Sequence, residues 1–338
     1  MMSQHVLGVS PWSLRFWLGS PNILYNIAGI IAYIILVSII FSVFGYVMGW
    51  LERKLIARAQ NRHGPTYVGM WGILQNMADL IKLLSKRDVI PVRADRLLFA
   101  VSLPLLLALS VFIILLLPYS PALQATSLGF GMLIVFAIIA FLPLLLFTAG
   151  FSSGNKFAGI SAQRSVLILL SYELPTLLVV AAVGLMANGY NLQSIVGGQS
   201  VYYALLMPIG LAVFFIAMLA EFERPPFDLR EADSELIAGW LTDVSAPYYA
   251  LALFLDYARM FLGSILIAIL FFGGWLGPAP LPPLFWLIAK AFIIAVFVIM
   301  IRATAFRMRA DRVLRFGWAW LIPLALINLI ITYIVFVG

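Results

Sequence analysis

Long apolar runs separated by short polar segments dominate this chain. Eight runs approach or exceed the roughly 20 mostly apolar residues that a helix needs to cross the hydrocarbon layer. They are residues 23–50, 97–117, 129–149, 166–186, 203–220, 248–276, 284–301 and 318–336. Backbone groups in lipid must pair within their own segment, so such runs predict helices. The pattern predicts an all-α integral membrane protein, a bundle of eight transmembrane helices forming one domain over residues 23–338.

Residues 1–22 form a separate N-terminal segment, in which Trp12, Phe16 and Trp17 alternate with polar residues. Aromatic side chains collect at membrane interfaces, which favours a segment lying along the membrane surface. A disordered tail is the alternative interpretation. Composition agrees with the membrane assignment, because a chain that is 64% hydrophobic and 10% charged cannot build a water-facing surface.

Basic residues lie almost entirely on one side of the predicted bundle. The loops 51–96, 150–165, 221–247 and 302–317 carry nine, two, two and five of them, which is 18 of the 21 in the chain. The positive-inside rule places these loops in the cytoplasm and both termini outside, in the inner membrane of a cell. The net charge of +7 therefore predicts membrane topology and lipid contact, and no nucleic-acid partner.

Residue types that are missing limit the chemistry. The chain has no cysteine, and its two histidines, His5 and His63, fall on opposite sides of the predicted membrane. Iron–sulfur ligation by thiolates is excluded, and no metal or cofactor site is expected in this chain alone. Neither a dinucleotide-binding nor a P-loop motif occurs. Any electron transfer must therefore take place in a partner subunit.

The loop 51–96 contains GMWGILQNMADLIKLL, which places apolar residues at helical spacing and Asp79, Lys82 and Lys86 on other faces. This spacing predicts a cytoplasmic amphipathic helix. Two interpretations are open. The helix either lies on the bilayer with its basic residues toward lipid phosphates, or lines the mouth of a cavity that admits an amphipathic molecule from the membrane.

Charged residues also occur inside the predicted spans. Glu173 and Asp256 each lie roughly 10 Å inside a span by helical rise, and Asp256 precedes Arg259 by three residues. Ionisable groups at such depth face a protein interior or water and usually serve a function. Asp256 is alternatively a structural partner of Arg259. Lys290, near the other end of its span, either reaches outward to the interface or ends a proton route.

Six of the 14 carboxylates fall within fifteen residues: Glu221, Glu223, Asp228, Glu231, Asp233 and Glu235. A helix starting after Pro226 would place Asp228, Glu231 and Glu235 on one face and Asp233 on another. Carboxylates at such close spacing share protons and titrate together, which suits a proton relay. With Glu173, Asp243 and Asp256 they form a ladder into the membrane. A solvated acidic face is the alternative.

Four ordered motifs identify a family. LERK with RxGPTYVGxxGxLQxxADxxKLLxK, then GFSSGNKFAxxxAxRxxxxxxSYELP, ExERPPFDLxEADSEL and an arginine-rich entry to the last span resemble the quinone-site membrane subunit of respiratory complex I. This family includes the corresponding membrane subunit of bacterial NADH-quinone oxidoreductase and mitochondrial NADH dehydrogenase subunit 1. The resemblance covers nearly all of residues 20–338.

The resemblance implies a subunit that forms part of a quinone chamber and couples quinone reduction to proton transfer. FMN and iron–sulfur clusters are then expected in peripheral partner subunits, with quinone as substrate and lipid and other membrane subunits as further partners. Positions carried over to the chamber are Arg53, Gln60, Arg62, Gly64, Pro65, Ala78, Asp79, Lys82, Phe227, Asp228 and Arg230. Positions carried over to the proton path are Glu173, Glu221, Asp228, Glu231, Asp233, Glu235, Asp243 and Asp256.

Two other functions stay open, the first because the resemblance extends to related complexes. The chain is alternatively the membrane anchor of an F420H2 dehydrogenase or an energy-converting hydrogenase, which have homologous subunits beneath a different electron-input module. A stand-alone proton or cation transporter is a third class, and the absence of a recognisable internal repeat weakens it.

Overall fold

The structure is a computed structural model that describes residues 23–121, 123, 128–230, 233–278 and 280–336. The predicted interfacial segment 1–22 lies outside the described residues. Every regular element in the described part of the chain is helical, with no strand. This confirms the predicted all-α class.

The longer helices are numbered in chain order. They are α1 (Ile23–Ala59), α2 (Gln75–Ser85), α3 (Arg96–Leu116), α4 (Gly131–Ser152), α5 (Lys156–Met186), α6 (Pro208–Glu221), α7 (Ala246–Phe271), α8 (Pro283–Thr304) and α9 (Ala310–Phe336), which passes through a π-helical stretch at Gly317–Leu321. Short helical turns lie at Met70–Gly72, Leu192–Gly197, Tyr203–Leu206, Asp233–Leu236 and Gly239–Leu241.

Seven helices in the described residues are long and apolar enough to cross a membrane: α1, α3, α4, α5, α7, α8 and α9. The remaining predicted span, 203–220, is divided. Tyr203–Leu206 forms one helical turn, Met207 leaves the helical conformation, and α6 starts at Pro208 and runs for 14 residues. Proline is favoured in the first turn of a helix and cannot continue the preceding one, which explains the break.

Polar side chains cap the N-termini of α3 and α5. Asp95 accepts hydrogen bonds from the backbone N–H groups of Leu97 and Leu98 at the start of α3. Asn155 accepts one from Phe157 at the start of α5. Such caps satisfy backbone donors that the helix itself leaves unpaired. The cap at Asn155 explains why α5 begins well before the apolar run that predicted it.

Helix α7 is the centre of the bundle. It packs against α8, α1, α3 and α2, and most of its side chains are buried. Aromatic contacts hold α1 to it: the rings of Phe44 and Phe261 stack with centroids 3.7 Å apart. By contrast, α1 exposes Ile31, Ile35 and Ile39 at four-residue spacing, as expected for a stripe facing lipid.

The packing of α7 allows a test of the fold. A Cβ added at Gly263 would lie 1.9 Å from the buried ring of Phe222, whereas one at Gly159 of α5 would meet nothing within 4 Å. We expect Gly263→Ala to destabilise the protein by about 1–3 kcal/mol through overpacking. Gly159→Ala should leave stability unchanged or raise it, because alanine favours helix. Thermal unfolding of the purified protein measures both, and equal melting temperatures would contradict the packing.

Candidate functional site

A cavity of about 420 Å³ lies where α1 ends and α2 begins. Side chains from α1, the 60–65 segment, α2, α7 and α8 form its walls. The lining residues are Glu52, Arg53, Ile56, Arg62, His63, Gly64, Pro65, Gln75, Tyr257 and Arg302. Three arginines and apolar groups thus face one space. The cavity therefore offers several hydrogen-bond donors to a molecule that carries acceptor atoms.

Arg62 reaches the cavity because α1 ends just before it. Asn61 adopts a left-handed conformation (φ 55°), which asparagine tolerates better than most residues. The backbone N–H of Arg62 then donates to the carbonyl of Ala57 at 2.8 Å. The Nε of Arg62 donates to Oε1 of Gln60 at 2.9 Å, so Gln60 orients the guanidinium.

Helix α2 is held against α1 by polar contacts. Arg53 Nη1 lies 2.6 Å from Asp79 Oδ2, and Gln75 donates to the other carboxylate oxygen at 3.0 Å. Asn76 donates to the carbonyl of Tyr46 at 3.0 Å. Burial would raise the pKa of Asp79, but the hydrogen bonds from Arg53 and Gln75 outweigh it and hold the pKa below its ordinary value. Asp79 therefore fixes Arg53 as a charged pair.

A buried charge pair closes the inner wall of the cavity. Glu52 is only 2% exposed, lies 3.3 Å from Arg224 and contacts Arg302. Arg302 also lines a second, very small cavity together with Glu223, Arg230 and Asp256. Arg302 is thus shared by the large cavity and the interior behind it.

Behind this wall the charges alternate in sign. Arg230, with 2% of its side chain exposed, lies 2.7 Å from Glu223 and 3.1 Å from Asp256. Asp256 is also 3.0 Å from Arg259 one turn further along α7. The face of the Trp240 ring covers the Arg230 guanidinium at 4.7 Å from the ring centroid. Pairing of this kind is what lets ionised groups persist away from water.

Glu173 and Glu221 face one small cavity between α4, α5 and α6. Its volume is about 20 Å³, which is enough for roughly one water molecule. The Oε1 atom of Glu221 is buried and has no hydrogen-bond partner among the described residues. Because Glu221 lies two residues before Glu223, this cavity lies next to the charge network.

Comparison with known proteins places the chain in a family. Residues 31–333 match the profile of the family described as NADH dehydrogenase. The chain belongs to this family. It is 40% and 39% identical, over 295 residues, to two proteins that are named as a subunit of NADH-quinone oxidoreductase, from Dehalococcoides mccartyi strains CBDB1 and ATCC BAA-2266 / KCTC 15142 / 195. The matched region is 87% of this chain and 82% of each relative.

The positions carried over from NADH dehydrogenase family motifs fall into separate groups. Arg53, Arg62, Gly64 and Pro65 line the large cavity. Gln60 and Asp79 hold Arg62 and Arg53 in place. The other predicted chamber residues lie elsewhere: Ala78 and Lys82 are exposed on α2, Phe227 is buried against Tyr172, and Asp228 and Arg230 line the small cavity beside Glu223.

The predicted amphipathic helix of the first loop is present as α2, from Gln75 to Ser85. The upstream residues 70–74 form a tighter turn instead. Apolar residues of α2 are exposed, including Met77, Leu80, Ile81 and Leu84. This face of the helix is available to lipid or to another subunit.

The predicted helix after Pro226 is wrong over residues 227–230, which form an irregular, bent segment. Phe227, Leu229 and Arg230 are all buried there, and Arg230 pairs with Glu223 and Asp256 in the interior. Asp228 therefore shares no helical face with Glu235. Asp228 lies 3.0 Å from Arg307, and Glu235 lies 2.6 Å from Arg164, so each carboxylate faces an arginine.

The other predicted acids divide by position. Asp256 is in the network, and Asp243 is half-buried in the turn before α7. Asp233 begins the short helix Asp233–Leu236. Glu231 lies outside the described residues.

Sequence reasoning missed several cavity residues, notably Glu52, Tyr257 and Arg302. Glu52 stands in the LERK motif, directly before Arg53, and carried a usable signal. Tyr257 and Arg302 sit in α7 and α8, distant in sequence from the first loop. Only the packing of α7 and α8 against α1 brings them to the cavity.

The contact between α1 and α2 gives a prediction. Asp79 has a lowered pKa when folded, so its pairing with Arg53 contributes stability at neutral pH that is lost as the pH falls through that pKa. We expect Asp79→Asn to speed amide hydrogen exchange across residues 75–85 about threefold at pH 7, the effect of a partly exposed pair worth roughly 0.5–1 kcal/mol. Lys86→Met, at an exposed site after the same helix, serves as control. Unchanged exchange in Asp79→Asn would show that the pair does not anchor α2.

Proposed function

We propose that this chain is the quinone-site membrane subunit of a proton-translocating NADH-quinone oxidoreductase of the complex I type. The observation that carries the proposal is the 420 Å³ cavity, in which Arg302 contacts buried Glu52, the partner of Arg224. Arg302 also lines the small cavity beside the paired charges of Glu223, Arg230 and Asp256. The names of the relatives support the reaction. A multi-pass helical chain without cysteine holds no thiolate-bound redox centre, so electrons reach the quinone from partner subunits that carry FMN and iron–sulfur clusters.

The cavity provides the groups that a quinone headgroup needs. Arg53, Arg62 and the phenol of Tyr257 donate hydrogen bonds to the two carbonyl oxygens, while Ile56 and Pro65 contact the ring. Reduction to the quinol takes up two electrons and two protons. Guanidinium groups stabilise the negative charge that develops on the oxygens when an electron arrives before its proton.

Quinone reduction is coupled to proton transfer through Arg302, which lines both the large cavity and the small one. Negative charge on the quinone oxygens attracts Arg302 and competes with its contact to Glu52. A weaker contact between Arg302 and Glu52 alters the electrostatic interaction of Glu52 with Arg224. It then alters the interactions among Glu223, Arg230 and Asp256 in the adjoining cavity. Charges this close in a medium of low polarity influence one another's protonation strongly.

Protons leave this network through Glu221 and Glu173. The two carboxylates line one small cavity with space for about one water molecule, which could pass a proton between them. Asp228, Glu231, Asp233, Glu235 and Asp243 belong to the loop that meets the peripheral partners, and we assign them to proton entry.

We further propose that the protein lies in the inner membrane of a cell with both termini outside. The arginine-rich loops then face the cytoplasm, which is the side that the positive-inside rule assigns to them. The quinone cavity opens at the same end of the bundle, so the peripheral electron-input subunits bind there.

Arg62 tests the quinone site. We expect Arg62→Ala to slow quinone reduction by the purified complex about tenfold, because a charged hydrogen bond to the headgroup is lost. Reduction of a hydrophilic artificial acceptor by the peripheral arm should be unchanged. Arg58→Ala, one turn earlier on an exposed face of α1, is the matched control. Equal loss of both activities in Arg62→Ala would indicate an assembly defect and oppose the assignment.

Glu221 tests the proton path. Glu221→Gln preserves the shape of the side chain but removes its proton-carrying carboxylate, so the number of protons translocated per electron should fall severalfold in proteoliposomes. Quinone reduction with the membrane potential collapsed by an uncoupler should persist. Asp311→Asn, an exposed acid paired with Arg309, should leave the ratio unaltered. A normal ratio in Glu221→Gln would remove this residue from the path.

A further inference from the structure

The end of α7 opposite the quinone cavity contains a second polar arrangement, in which Lys290 of α8 is the central group. Its Nζ atom lies 2.7 Å from the carbonyl oxygen of Phe272, 3.0 Å from that of Gly274 and 2.6 Å from that of Leu276. An ammonium group has three N–H donors, and each finds one acceptor here. We refer to these three carbonyl oxygens as the cradle.

An aromatic ring completes the enclosure. The Nζ of Lys290 lies 5.1 Å from the centroid of the Tyr202 ring, within the range of a cation–π contact. Carbonyl oxygens on one side and a ring face on the other form the surroundings that proteins use to bind primary and substituted ammonium ions.

The backbone around the cradle is arranged to present these oxygens. Helix α7 ends at Phe271, and its last carbonyls have no partner within the helix. Gly273 and Gly274 adopt φ of 68° and 46°, a left-handed turn that glycine allows at little cost. This turn directs the following carbonyls toward α8. The negative end of the helix dipole adds a preference for a cation at this place.

Next to the cradle, the neutral side chain of Gln199 also donates hydrogen bonds to backbone carbonyls. The amide Nε2 of buried Gln199 donates to the carbonyls of Ile269 and Leu270 at 3.0 and 3.1 Å. Gln199 thus satisfies carbonyls in the last turn of α7 without a charge, and Lys290 satisfies carbonyls of the segment that follows it with one.

We propose that the cradle and Tyr202 form a binding site for a primary ammonium ion, and that the side chain of Lys290 occupies this site. In this role Lys290 positions α7 and carries no protons. Carbonyl oxygens favour the charged ammonium and cannot take its proton. Among the described residues, no carboxylate lies within ion-pair distance of Lys290 to receive one.

The position of the site explains its importance. Helix α7 carries Tyr257 of the quinone cavity and Asp256 and Arg259 of the charge network. Phe271, the last residue of this helix, lies about 21 Å from Tyr257 along the axis by the rise per residue. Fixing this far end prevents α7 from sliding along its axis relative to α8, which carries Arg302. Lys290 is therefore a positioning residue for the site at the other end.

The test is chemical rescue of Lys290→Ala in the intact complex, with methylammonium chloride as the probe and sodium chloride at equal ionic strength as the reference. We expect this variant to lose about 5 °C or more in melting temperature and to raise the KM for quinone. Methylammonium should restore both and leave the wild-type protein unchanged. Gln199→Leu, the matched control, uncovers neighbouring carbonyls without emptying the cation site, so its lower melting temperature should not respond.

Three outcomes would overturn the proposal: a wild-type melting temperature in Lys290→Ala, equal rescue of Gln199→Leu, or no rescue of Lys290→Ala. If Lys290→Ala does not assemble, Lys290→Gln replaces it, since an amide keeps two donors but no charge. A Gln variant with a normal melting temperature and fewer protons translocated per electron would assign Lys290 to a proton route instead. The melting and rescue readouts do not depend on the proposed function; only the KM and proton ratio rest on it.

Discussion

Arg230 lies almost wholly out of reach of solvent, and a guanidinium cannot release its proton to escape that environment. Glu223 and Asp256 neutralise it, and Asp256 in turn pairs with Arg259. Removal of any one member would leave a buried charge without compensation, at a cost of several kcal/mol. This requirement draws the acidic loop into the bundle and explains why residues 227–230 form an irregular segment in place of a helix. The interior of the protein is organised around these pairs.

The same requirement makes the network responsive. A pair held by excellent geometry in an apolar interior is sensitive to any new charge nearby, because the interior screens poorly. Arg302 is the residue through which such a charge acts, since it contacts Glu52 and lines both the large cavity and the small one. In the function we propose, quinone reduction at the cavity and proton transfer at Glu221 and Glu173 are connected in this way by electrostatics.

Helix α7 gives the arrangement its rigidity. Its middle is enclosed by neighbouring helices, its first half carries residues of the cavity and the network, and its far end is held by Lys290 and Gln199. Two polar arrangements with different purposes thus share one helix. At one end, arginines and carboxylates balance each other and respond to charge. At the other, backbone carbonyls hold one ammonium group in a fixed place.

The sequence by itself determined the helical membrane class, seven of the long spans and the amphipathic helix α2, because apolar length and helical spacing are local properties of the chain. Its motifs also marked Arg53, Arg62, Gly64 and Pro65, which lie together at the cavity. Only the tertiary structure decided the partners: Glu52 with Arg302, Asp228 with Arg307, Arg230 with Asp256, and Lys290 with three carbonyls. The physical reason is that the pairing of a buried charge depends on which helices pack together, and residues 52 and 302 become neighbours only when α8 folds against α1.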